Sequence, residues 1–211
     1  MKTILYTSIW LLWISGVYAQ PSAQDILAKV SHIYQQDKSL QADFTFSVIQ
    51  QGKTLGPAQK GTLKVQGEKY RVDMQDRIFI SDGQDQWTVL REVKEVQITP
   101  VDKSNGGLNP TNIFDFYKNG YLTKTLEDTQ VKGVSCYAIQ LNPSRKDQGI
   151  QKIRMHVRKD NHRIQDIRVW QDNGDELYYG IEKQVTNLDI PAKHFVFQAS
   201  AYPDMELVDL R

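Results

Sequence analysis

The chain has 211 residues, with 26 basic side chains, 25 acidic ones, four histidines and a formal net charge of +1. That balance argues against phosphate-driven nucleic-acid binding and against strong attraction to anionic membranes. A single cysteine, Cys136, excludes an internal disulfide.

The first segment combines a basic start, Met1-Lys2, an apolar run from Ile4 to Val17, and the small-x-small sequence Val17-Tyr18-Ala19. This pattern predicts a secretory signal peptide over 1–19, cleaved after Ala19. The alternative, an uncleaved membrane anchor, meets a run that is short for a bilayer span of about 20 residues. Cleavage removes one basic side chain, Lys2, and no acidic one, so the exported chain is formally neutral. The remaining 20–211 show no repeat, low-complexity tract or linker, and read as one domain.

Pro21 to Lys38 is predicted to be helical. Pro21 or Ser22 can start it, Asp25 sits in the first turn, and Ile26, Leu27, Val30, Ile33 and Tyr34 form one apolar stripe. From about Gln41 to Phe197, short runs of period two follow. They include Phe44-Thr45-Phe46-Ser47-Val48, Leu63-Lys64-Val65, Tyr70-Arg71-Val72-Asp73-Met74, Tyr137-Ala138-Ile139-Gln140-Leu141 and Ile153-Arg154-Met155-His156-Val157. Gln51-Gly52, Leu55-Gly56-Pro57, Gln66-Gly67, Ser81-Asp82-Gly83-Gln84, Asp160-Asn161 and Asp172-Asn173-Gly174-Asp175 separate them as turn signals. One segment breaks the alternation. Asn109 to Tyr117 reads as a short aromatic helix with Asn109 as cap and Pro110 in the first turn, behind a polar loop over 102–107. It can act as a lid or plug the end of a core.

Many one-faced strands in series make a mostly β protein, an antiparallel sheet that must curl, stack or close to hide its apolar face. Alternation nominates Phe44, Phe46, Val48, Leu63, Val65, Tyr70, Val72 and Met74 as inward, together with Ile78, Phe79, Ile80, Trp87, Val89, Ile139, Met155 and Val157. Ile113, Phe114, Phe116 and Tyr117 would line the lid. Inward strand residues line either a cavity or a filled core, and a bulge would swap a strand's set.

Catalytic spacings are missing: the sequence holds no HExxH, CxxC, Gly-x-Ser-x-Gly or P-loop pattern. His156 and His162 flank a predicted turn, where a metal pair or two ordinary strand-end histidines both fit. Asp82-Gly83 and Asp172-Asn173-Gly174-Asp175 hint at calcium but lack the spaced acidic ligands of a calcium loop, and read more simply as turns. A hydrolase with a histidine–carboxylate pair is the rival from another class. Cys136, on a strand, reads as a buried small hydrophobe.

Several segments resemble the outer-membrane lipoprotein carrier (LolA-like) family. They are Ser39-Leu40-Gln41-Ala42-Asp43-Phe44-Thr45 after the helix, Gly61-Thr62-Leu63-Lys64-Val65, and Ile78-Phe79-Ile80-Ser81-Asp82-Gly83 followed by Trp87. The last is Pro191-Ala192-Lys193-His194-Phe195-Val196-Phe197, which looks like the family's closing helical turn and strand. The resemblance implies an unclosed antiparallel β-barrel of about eleven strands with a helical lid over an apolar cavity. It implies a non-enzymatic periplasmic chaperone without cofactor or metal, and a carrier that needs an accessible mouth is expected to be a monomer. Such a chaperone takes acylated lipoproteins from an inner-membrane release complex to an outer-membrane acceptor. A lipid-binding or lipoprotein-sensing protein on the same fold is the alternative. Family members carry an arginine–proline pair between strands two and three, where the arginine helps latch the lid. Here that loop is Gln66-Gly67-Glu68-Lys69, and the arginine is displaced to Arg71.

Overall fold

The computed structural model describes residues 20–101, 116–118, 120–145 and 149–211. The predicted signal peptide, and most of the predicted lid helix with its preceding loop, lie outside them.

The helix α1 spans Ala23–Gln36. Ser22 caps it: its hydroxyl accepts from the Asp25 backbone N–H at 3.1 Å and donates to the Asp25 carboxylate at 2.6 Å. Thirteen strands follow among the described residues. They are β1 (Leu40–Gln50), β2 (Lys53–Gln66), β3 (Lys69–Met74), β4 (Arg77–Ser81), β5 (Asp85–Leu90), β6 (Glu95–Pro100), β7 (Tyr121–Thr125) and β8 (Thr129–Val131). The rest are β9 (Val134–Pro143), β10 (Ile150–Arg158), β11 (Ile164–Gln171), β12 (Asp175–Thr186) and β13 (Glu206–Asp209). All belong to one unclosed sheet in the order β13-β6-β5-β4-β3-β2-β1-β12-β11-β10-β9-β7, with β8 also on β9. Every pairing is antiparallel except β13 on β6. The count is thirteen, against about eleven implied by the resemblance.

β1 is the hinge of this order, because it pairs with its hairpin partner β2 and with β12 from the far end of the chain. Leu55-Gly56-Pro57, read as a turn from sequence, instead lies inside β2. The pairing with β1 slips there, between Phe46 and Val48, and Gly56 takes φ +71°. Proline has no N–H to give a ladder, so a bulge is where a strand tolerates it. Asp82 and Asn173 close ordinary Asx turns: their side-chain oxygens accept backbone N–H groups of Gln84 and Asp175 at 2.9 and 3.0 Å.

The two faces of the sheet are covered differently. The inner face carries α1, whose Ile26, Leu27, Val30 and Tyr34 pack on Leu40, Ile139, Leu141, Ile153, Met155, Val157, Ile164 and Val169. Tyr34 fixes the helix in place: its hydroxyl donates to Gln184 at 2.8 Å and accepts from the Ile164 N–H at 3.1 Å. Arg163 pairs with Asp37 at 2.7 Å at the helix end. On the outer face, Ile78, Ile80, Val89 and Val96 form a second core under Phe197, Tyr202 and Met205 of the C-terminal tail. The tail opens with a 3-10 turn, Ala192–Phe195, which buries Phe195 completely. Val196 and Phe197, expected as a closing strand, are not one, and the last strand among the described residues is β13. Arg211 pins the tail end to Asp85 at 2.7 Å.

Candidate functional site

Beyond the end of α1's coverage, the inner face holds a cavity of about 390 Å³. It lies across β5, β4, β3, β2, β1, β12 and β11, which are consecutive in the sheet, so among the described residues curling of the sheet shapes its wall. Its apolar lining is Phe44, Phe46, Leu63, Tyr70, Val72, Met74, Phe79, Ile167, Tyr179 and Ile181, with Arg77 and Gln86 as the polar members. Period-two alternation explains the lining: Tyr70, Val72 and Met74 share a face of β3, while Arg71 and Asp73 take the other.

Local contacts set the cavity's shape. Gly61 is the cross-strand partner of Phe44, and the Phe44 ring occupies the space that a side chain on Gly61 would fill, its Cζ within 2.5 Å of an added Cβ. Phe46 packs on Tyr179 with ring centroids 5.1 Å apart. The polar groups are internally paired. Tyr70 donates its hydroxyl hydrogen bond to Gln86, whose amide donates to Thr88 at 3.2 Å. Burial pushes the Tyr70 hydroxyl up to about 12, so it stays a neutral donor. Arg77 is bound to Asp76 at 2.6 Å. The cavity therefore presents hydrocarbon and aromatic surface with few open hydrogen-bonding demands, suited to an apolar guest.

Of the residues nominated from sequence, Phe44, Phe46, Leu63, Tyr70, Val72, Met74 and Phe79 come together around this cavity. Val65, Ile139, Met155 and Val157 lie on the same face but are filled core beneath α1. Val48 lies on β1 beyond the slip in its pairing with β2 and is not among the lining residues. Ile78, Ile80, Trp87 and Val89 are corrected to the outer face, in the core under the tail. Three consecutive residues cannot share a face, and Phe79 takes the inner one. Trp87 stacks on Phe197 at 6.4 Å. Ile113 and Phe114, and the side chain of Phe116, lie outside the described residues. Tyr117, the last residue of the predicted lid, donates to the Leu27 carbonyl at 2.8 Å, which ties that end of the segment to α1. Ile167, Tyr179 and Ile181 were missed. Their alternation is legible in the sequence, but only the β1–β12 pairing, extended by β11 on β12, brings them beside Phe44 and Phe46.

Arg71 does not serve the inner face. It points outward and grips Asp73, Nε to both carboxylate oxygens at 2.9 and 3.0 Å. His156 bonds Asp166 at 2.6 Å on the outer face of β10 and β11, and His162 packs on Tyr137. No group of three metal-ligating side chains occurs among the described residues. Cys136 is fully buried, and burial followed by the charge of Asp166 pushes its thiol up, away from thiolate reactivity. No helix among the described residues is long and apolar enough to cross a membrane.

The family model described as outer membrane lipoprotein carrier protein LolA matches residues 35–198. No curated protein sequence matches the chain at a significant level. Among solved structures, an uncharacterized conserved protein from Thermus thermophilus is similar at a TM-score of 0.60 and 10% identity, covering 89% of this chain and 98% of that one. The Mycobacterium tuberculosis lipoprotein LppX is similar at 0.50 and 11% identity, covering 81% and 100%. A LolA superfamily protein from Nitrosomonas europaea gives 0.44 and 13%, covering 84% and 99%. At these identities the first two likenesses speak for the fold alone.

Proposed function

This chain belongs to the outer membrane lipoprotein carrier protein family, LolA, and we propose that it carries lipoproteins by burying their acyl chains in the inner-face cavity. Carriers of this family are non-enzymatic and periplasmic. On this reading the chain is exported through residues 1–19 and shuttles cargo from an inner-membrane release complex to an outer-membrane acceptor. The observation that carries it is the apolar cavity of about 390 Å³ on the sheet's inner face, within the common ligand-pocket range of about 300–1,000 Å³.

The physics suits the task. Each buried methylene contributes about 0.8 kcal/mol, so an acylated protein cannot cross water unshielded. The lining must hold chains without holding them irreversibly. Large aromatics such as Phe44, Phe46 and Phe79 supply area, and Met74 supplies an adaptable wall. Because Tyr70 and Gln86 are already bonded to each other and to Thr88, a guest that displaces water leaves these two hydrogen bonds in place.

The test is a release assay. Membrane vesicles containing the inner-membrane release machinery and a triacylated lipoprotein are incubated with the exported chain. Soluble one-to-one complex is the expected product, and Phe79→Glu is expected to abolish it. If free phospholipid enters the cavity but lipoprotein never leaves the vesicles, the lipid-binding or sensing alternative takes its place.

A further inference from the structure

A second depression, of about 340 Å³, lies behind the cavity on the outer face of the same strands. Its chemistry is the opposite. Lys64 of β2 and Arg71 of β3 line it as direct cross-strand partners. Like charges placed opposite each other destabilise a sheet. The 3-10 turn of the tail then sets Lys193 and His194 over the same space. One carboxylate, Asp73, faces this group, and it is already engaged by Arg71 at 2.8 Å. The His194 ring responds to that surplus. Burial first, then Lys64, Arg71 and Lys193, push its pKa below the usual histidine range, with Asp73 opposing.

None of these residues faces the lipid cavity, and the family reading gives them no task. Yet the tail's 3-10 turn holds the cations together against their own repulsion. An anion in the middle turns that repulsion into charge-assisted hydrogen bonding. We propose that this outer-face depression binds a phosphate-bearing anion, with Lys64 and Lys193 as point charges and Arg71 as the oriented donor. Asp73 fixes the guanidinium plane, as a carboxylate does for an arginine that must present a defined edge. Tyr202, also in the lining, bonds the same guanidinium through its hydroxyl and stacks its ring on Phe197 at 5.3 Å. The proposal stands independently of what the inner cavity carries.

The test follows the four histidine rings of the full exported chain by NMR during titration with inorganic phosphate, with chloride at matched ionic strength as control. Bound phosphate favours the protonated ring, so the His194 pKa is expected to rise saturably while His32, His156 and His162 stay still. The double variant Lys64→Gln/Lys193→Gln is expected to weaken the response about tenfold, as loss of charge-assisted bonds does. Its uptake of an acyl probe into the inner cavity is expected to stay unchanged. An unmoved His194, an equal response to chloride, or an equal response in the variant would overturn the proposal. Flotation with phosphatidylglycerol and phosphatidylcholine vesicles separates the sources. Retention on the former alone, lost in the variant, identifies a lipid headgroup. A phosphate response without retention identifies a soluble phosphate compound.

Discussion

Phe79 and Trp87 show how much one residue's face decides. The two are nearly cross-strand neighbours on β4 and β5, yet one lines the cavity and the other lies under the tail. Phe79→Glu is expected to cut binding of a fluorescent acyl probe more than about tenfold with the fold retained. Trp87→Ala is expected to lower unfolding stability by about 2 kcal/mol in urea melts and leave probe binding intact. Gly61→Ala is a subtler case. The new methyl would drive the Phe44 ring from its seat, at a cost of about 1–3 kcal/mol and a smaller cavity, readable as a lower denaturation midpoint together with weaker probe uptake. Tyr70 gives a pH signature. Its folded pKa of about 12 exceeds the ordinary 10, so the folded state holds the proton more tightly. Stability from this group is complete below pH 10 and is lost as pH rises towards 12. Tyr70→Phe is expected to flatten that part of the alkaline melting profile, with Tyr34, Tyr121, Tyr178 and Tyr179, also raised by burial, supplying the remainder.

At the scale of elements, α1 closes one half of the inner face and leaves the other half open. Leu27 is fully buried at the centre of that contact, and Leu27→Ala is expected to cost about 2–5 kcal/mol, the usual range for a buried leucine. Circular dichroism melts of the exported chain check it. The helix and most strands were legible because their signals are local: the Ser22 cap, the stripe from Ile26 to Tyr34, and the alternation of Tyr70, Val72 and Met74. What was not legible depends on partners distant in sequence. Ile78-Phe79-Ile80 is apolar at every position because one face of β4 packs under the tail and the other lines the cavity, and periodicity cannot say which face is which. The tail that covers the outer face carries mostly 3-10 turns and a four-residue strand, too short to leave a periodic mark. Leu55-Gly56-Pro57 carried real turn chemistry, but β1 continued past it and the strand absorbed it as a bulge.

For the whole molecule, one sheet presents two unlike faces. Among the described residues its inner face is apolar and half covered by α1, which leaves a cavity. Its outer face along β2–β4 is closed by the tail and carries cationic groups in one depression. Family membership and this cavity together support a carrier whose cargo is held by area and not by specific hydrogen bonds, so that uptake and release can both proceed. Native mass spectrometry of the exported chain, purified from the periplasm without detergent, addresses that carrier reading in one step. A complex with triacylated lipoprotein at about one-to-one stoichiometry, absent from Phe79→Glu, is the expected result. A chain that carries only free phospholipid, or the same lipoprotein load in Phe79→Glu as in the parent, would contradict it.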